Sequence, residues 1–194
     1  MNLNTSLPAQ LPKLRFLDRF MANHAGFIAG GCFKGLFLGE KIKDVDLFFK
    51  SEEDAKAAIE HYQGNPDFSP AWQNERVAAF RDQKTGIAVE CITSYTGEPD
   101  AIISEFDFTI TKAFYAKNEA GEYEFNCHLK FFEHLLNRKL VIDDKVNFPL
   151  STFNRSYRYK GYGFGLCGES KQLLIAALQG QSGANLGDFY FGID

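Results

Sequence analysis

Residues Phe27–Phe49 read FIAGGCFKGLFLGEKIKDVDLFF, and the rest of the chain is arranged around them. The apolar run Phe27-Ile28-Ala29 predicts a strand that ends in the pair Gly30-Gly31. Cys32–Leu38 predicts a short helix, closed by a turn at Gly39. Asp44-Val45-Asp46 then leads into Leu47-Phe48-Phe49, a second, buried strand. Residues i and i+2 of a strand share a face, so Asp44 and Asp46 point together while Val45 points away. Two adjacent carboxylates repel unless a cation lies between them. Oxygen ligands of this kind suit Mg²⁺ (or Mn²⁺), which uses one or two protein carboxylates together with substrate phosphates. A Gly-Gly turn entering a helix allows backbone N–H groups to approach an anion. The stretch therefore outlines a metal-dependent phosphoryl-transfer site.

This pattern resembles the signature of the polymerase-β-like nucleotidyltransferase superfamily. Its nearest variant is the head of the bacterial CCA-adding enzymes and poly(A) polymerases, Gly-Gly-x-Val-Arg-Asp-x-Leu-Leu-Gly followed by Asp-Ile-Asp. Gly30, Gly31, Leu38, Gly39, Asp44 and Asp46 align without a gap, while Lys34 stands in the place of Arg and Gly35 in the place of Asp. A second block, Phe106-Asp107-Phe108-Thr109-Ile110-Thr111, resembles the family's Arg-Asp-Phe-Thr-Ile-Asn; Asp107 and Thr109 match, and Phe106 and Thr111 do not. The resemblance runs from about Phe27 to Lys160, and its first block is the specific one.

Length and composition set the frame. The chain has 194 residues, 45% of them hydrophobic and 15% aromatic, with 20 Phe and a net charge of -4. That is the composition of a folded protein with an aromatic core and no global field attracting nucleic acid. The four cysteines, Cys32, Cys91, Cys127 and Cys167, have no C-x-x-C spacing and read as buried thiols of a reducing compartment. No signal-peptide core and no run of membrane-spanning length is present, so a cytoplasmic location without membrane contact is expected.

Along the chain, helical spacing of Leu11, Leu14, Leu17 and Met21 predicts a helix from about Pro12 to Asn23. Ser51 caps a helix running through Ala55, Ala58 and Tyr62, and Gly64–Asn74 reads as a loop. Val77–Arg81 and Ile87–Ile92 predict a hairpin that carries Glu90, a charged residue in an apolar strand. Glu90 is either an edge-strand surface carboxylate or, as the resemblance implies, the third acid of the metal site; Asp107 is the other candidate for that role. A helix at Asp100–Glu105, a strand continuing from the second block through Ala116, and a strand at Tyr123–Phe125 follow. Then come helices at His128–Leu136 and Leu150–Tyr159, a strand at Lys139–Ile142, a glycine-rich connector at Gly161–Gly168 and a last amphipathic helix around Leu173–Leu178. Arg155 and Arg158 share one helix face, where they either contact a triphosphate or form a solvated basic surface. The tail after Gly180, with Phe189, Tyr190 and Phe191, reads as a segment that packs back or meets a partner.

The expected architecture is α/β (α+β): a mixed, mainly antiparallel sheet flanked by helices. Residues 1–126 form the head and 127–194 a helical appendage, the two being separate or one unit. The resemblance implies transfer of an NMP from an NTP to a hydroxyl, with release of pyrophosphate. Asp44 and Asp46, with Glu90, would hold the metal; Gly30, Gly31, Lys34, Asp107, Arg155 and Arg158 would bind substrate. An RNA end, a protein side chain and a small molecule are all open as acceptors. A nucleotide-binding regulatory module without turnover and a protein-interaction module are the other classes compatible with these residues.

Overall fold

The computed structural model describes residues 3–5, 11–143 and 145–180. The aromatic tail singled out in the sequence lies outside them. Chain order begins with β1 (Leu3–Thr5), α1 (Leu11–Leu14), a 3₁₀ helix (Arg15–Phe20), β2 (Phe27–Ala29) and α2 (Cys32–Leu38). β3 (Asp44–Phe49), α3 (Glu52–Gly64), β4 (Phe68–Gln73), β5 (Val77–Asp82), β6 (Ala88–Thr96) and α4 (Pro99–Ser104) follow. The C-terminal part contains β7 (Ala113–Lys117), β8 (Tyr123–His128), α5 (Phe131–Leu136), β9 (Lys139–Leu140), α6 (Pro149–Gly161), β10 (Gly165–Leu166) and α7 (Gly168–Gln179).

Among the described residues, eight strands form one sheet in the order β1-β8-β7-β2-β3-β6-β5-β4. Its pairs are antiparallel except β3 with β6, so the sheet is mixed and mainly antiparallel, as the sequence predicts. β9 and β10 make a separate parallel pair. Alternation along β3 sorts side chains between the two faces. Val45, Leu47 and Phe49 enter a core with Ala55, Ala58 and Tyr62 of α3, while Phe48 joins a smaller core with Ile102 of α4 and Phe106. Asp44 and Asp46 share the face of Phe48.

Local chemistry accounts for the elements. α2 ends at Gly39, whose φ of 70° is left-handed and whose amide closes onto the carbonyls of Gly35 and Leu36. α3 opens at Ser51, whose hydroxyl accepts from the Asp54 amide at 3.1 Å, with three acids in the first turn.

Several local expectations change. The predicted helix from Pro12 to Asn23 is one α turn followed by the 3₁₀ segment. Leu14, Leu17 and Phe20, all fully buried, lie exactly three apart, the repeat of a 3₁₀ helix rather than of an α-helix. The expected loop at Gly64–Asn74 contains β4, a mostly exposed edge strand whose Pro70-bearing sequence hides its character. Residues 106–112 form buried turns, not a strand, and only β7 is extended. His128 ends β8 instead of opening a helix, and α5 starts at Phe131. The glycine-rich connector contains β10, paired with β9.

Cys127, the first residue of the expected appendage, sits in β8 opposite Ala113. Phe131, Leu140, Tyr159, Phe164 and Leu174 share a core with Ile28 and Leu47. Cys32, Cys91 and Cys127 are buried free thiols, and Cys167 is half-buried. No helix among the described residues is long and apolar enough to cross a membrane.

Candidate active site

Strand register brings the acids together. In the parallel pair, Asp46 of β3 lies directly opposite Glu90 of β6, and Asp44 opposite Ala88. Paired residues point to the same side of a sheet, so Asp44, Asp46 and Glu90 occupy one face. They line a cleft of about 1170 Å³. One wall is built by Gly31, Cys32 and Lys34 of the α2 start, by the loop Glu40–Lys43, and by Arg158, Tyr159 and Tyr162 around the end of α6. The other consists of Asn74–Val77 and the β6 residues Ile92, Ser94 and Tyr95. Asp44 is exposed, Asp46 and Glu90 half-buried.

The two glycines differ. Gly30, at φ 96°, takes a backbone conformation that favours glycine, and its amide donates to the Ala113 carbonyl at 3.0 Å. That bond spends the Gly30 N–H on holding the turn to the start of β7. Gly31 is the N-cap of α2 and borders the cleft; a Cβ there would lie 3.4 Å from the Tyr159 hydroxyl. Small size at this position keeps the wall between α2 and α6 open.

Lys34 reaches the cleft wall in company. Its Nζ donates to Glu40 Oε2 at 3.2 Å and lies 4.7 Å from the centre of the Tyr162 ring. Glu40 also receives Arg138 Nη1 at 3.2 Å. Burial tends to raise the Glu40 carboxyl, but Lys34 and Arg138 outweigh it and hold it below its ordinary value. Glu40, Arg138 and Tyr162 carried no signal in the sequence, because their roles arise from a β9–α6 segment folding back onto the loop after α2.

Asp107 and Arg155 lie elsewhere. Neither borders the cleft. Both are buried and joined as an ion pair, and the Thr152 hydroxyl donates to the other Asp107 oxygen at 2.8 Å. The pair ties the N-terminal half of α6 to the turn after α4. Arg158, one turn further, does border the cleft.

The electrostatics of the site register on Cys32. Burial pushes its thiol well above the ordinary value, and the negative charges of Asp46 and then Asp44 raise it further. Two hard oxygen donors with overlapping fields on one strand suit Mg²⁺ or Mn²⁺ arriving with its own phosphate ligands. Among the described residues, no group of three or more His, Cys, Asp or Glu side chains is placed to hold a metal ion by itself. The donor set thus fits a metal shared with substrate, not a self-sufficient structural site.

A family model for Gabija anti-defense 2 proteins matches residues 8–138, more than half of the chain and the whole of the carboxylate block. The chain belongs to the Gabija anti-defense 2 family. The "Gabija anti-defense 2" protein of Bacillus phage SPbetaL7 is 26% identical over 140 residues, covering 72% of this chain. The chain spans about a third of that relative, 34% of its length. Solved structures place this member of the Gabija anti-defense 2 family on the fold of the CCA-adding head. A CCA-adding enzyme in complex with CTP superposes with TM-score 0.64 and 18% identity, covering 90% of this chain and 44% of that one. The Thermotoga maritima CCA-adding enzyme complexed with tRNA gives TM-score 0.61 and 19% identity, with 90% and 43% coverage. A tRNA nucleotidyltransferase bound to primer tRNA and an ATP analogue gives 0.61 and 19%, covering 91% and 53%.

Proposed function

We propose that the protein is a metal-dependent nucleotidyltransferase that moves an NMP from an NTP to a hydroxyl acceptor, releasing pyrophosphate, and that this activity serves the anti-defense role for which its relative is named. The observation that carries the reading is the register of β3 and β6, which gathers Asp44, Asp46 and Glu90 on one face of a nucleotide-sized cleft. Asp44, Asp46 and Glu90 would hold two Mg²⁺ (or Mn²⁺) ions, which when bound lower the pKa of the acceptor hydroxyl and neutralise charge on the phosphates.

The chain's own residues do the rest. Gly31, Lys34 and Arg158 present positive or open surface on the wall next to the acids, where a triphosphate would lie. Gly30 fixes the turn through its bond to Ala113. Asp107 and Arg155 position α6, and through it Arg158 and Tyr159. Tyr162, stacked by Lys34, offers a ring for the base. Charge stabilisation carries such chemistry, and no general-base histidine is required.

A second reading, a nucleotide-binding module without turnover, draws on Lys34 being engaged by Glu40. The test separates them: each α-labelled NTP with Mg²⁺ and a bacterial cell extract, beside an Asp44→Asn/Asp46→Asn variant. Label transferred only by the intact pair supports the transferase. NTP binding without any transfer or pyrophosphate release establishes the module.

A further inference from the structure

The two walls of the cleft differ in charge. The α2 side carries Lys34, Lys41, Lys43 and Arg158 against Glu40. On the far side, Arg76 stands next to Glu75 among Val77, Ile92 and Tyr95, and that wall is neutral. A triphosphate belongs on the first. The second suits an acceptor bringing little charge, because a polynucleotide end carries a phosphate per residue and calls for a cationic track. The whole chain, at net charge -4, adds no such field.

The neutral wall continues outward along the sheet. Glu90 pairs with Ala79 of β5, and Ala79 with Trp72 of β4, so one cross-strand row runs Asp46–Glu90–Ala79–Trp72 on a single face. Three strand spacings of roughly 4.8 Å separate Asp46 from Trp72, about 14 Å. Trp72 is 46% exposed and Tyr95 38% exposed. β4 is the terminal strand of the sheet, but Pro70 and the register shift beside it blunt strand addition. Exposed Trp and Tyr with an Arg, around a neutral, partly apolar surface, are the residues that dominate protein–protein contacts.

We infer that the acceptor is a protein, docked on the exposed Trp72 ring, with a Ser, Thr or Tyr hydroxyl delivered to the cleft. The inference rests on the nucleotidyl-transfer reading. An extended segment of about four residues spans roughly 14 Å, so the modified residue lies four or so positions from the one anchored at Trp72. The hydroxyl oxygen forms a bond to the α-phosphorus of the NTP and the bond from that phosphorus to the β-bridging oxygen breaks. Pyrophosphate leaves, the hydroxyl proton passes to water, and a phosphodiester joins nucleotide and side chain.

The experiment incubates the full chain with Mg²⁺, each α-labelled NTP and bacterial cell extract, then divides the products by nuclease and protease treatment. The expected label resists nuclease, is lost with protease, and maps by mass spectrometry to a hydroxyl residue carrying one NMP. In Trp72→Ala, protein labelling falls at least about tenfold while NTP affinity is unchanged; Trp72→Gln replaces it should the alanine variant fail to fold. Label that is nuclease-sensitive or small-molecular overturns the protein acceptor and leaves nucleotidyl transfer standing. Protein label undiminished in both Trp72 variants overturns the docking surface. No label in any fraction, with no pyrophosphate released, overturns nucleotidyl transfer itself and this inference with it.

Discussion

Asp46 and Asp107 come from the two blocks that resemble one family motif, yet the fold treats them in opposite ways. Asp46 stands on a sheet face at the floor of an open cleft, across from a second carboxylate. Asp107 is buried, with an arginine and a hydroxyl on its two oxygens. Like charges held together at a solvent-accessible face are costly, and the proposed function gives them a cation to share. An acid sealed against Arg155 is already neutralised and holds two elements in place. Motif position alone does not separate these roles; burial and partner do.

The comparison breaks first at the cleft. Asp46→Asn should reduce nucleotidyl transfer by at least about 10³-fold, since several kcal/mol of charge stabilisation depend on it. Its thermal midpoint should stay within a few degrees of wild type, and a large loss of stability would move Asp46 into the class of Asp107. Asp107→Asn should register first on stability. Removing the carboxylate charge that meets buried Arg155 should destabilise the fold by about 3–5 kcal/mol, read by urea unfolding. A smaller effect is expected at Glu40, which holds Lys34 and, under the proposed function, competes with phosphate for it. Glu40→Gln should tighten NTP binding about two- to fivefold in a calorimetric titration, in line with a partly exposed ion pair.

A separate effect concerns pH and the face away from the cleft. Burial lowers His24 to about 4, against a weaker upward pull from its bond to the Phe20 carbonyl and a further lowering by His61. Above its ordinary value of 6.5 the residue is neutral in both folded and unfolded chains. Between 6.5 and about 4 the unfolded chain takes up a proton that the folded chain refuses, so stability should fall as pH falls through that window. His24→Gln should flatten the decline. Asp143, held low by His128 and Lys112 despite partial burial, adds loss in the same direction below its ordinary 3.8.

Much of this was legible in the residues. The strand–Gly-Gly–helix–Asp-x-Asp order emerges as β2, α2 and β3 with the expected bounds, because burial and chain punctuation there are local properties. Ser51 and Pro99 mark helix starts for the same reason. What escaped the sequence is what depends on distant partners. Residues 106–112 are apolar enough for a strand, but the Asp107–Arg155 bond, spanning to α6, holds them as turns. β4 looked like a loop because an edge strand need not alternate. The companionship of Lys34, Glu40 and Arg138 is set by loops from two ends of the chain, and no spacing rule encodes it.

The bond from the Gly30 amide to the Ala113 carbonyl has a consequence for biosynthesis. The turn beside the α2 wall of the cleft is completed by a residue translated long after it. At a translation rate of roughly 5–20 residues per second, the emerging N-terminal portion spends several seconds without that support. The cleft also needs Arg158 and Tyr162, later still. Under the proposed function, nucleotide capture is a property of a chain extended past Tyr162, and a shorter nascent product would carry the Asp-x-Asp motif without the wall beside it.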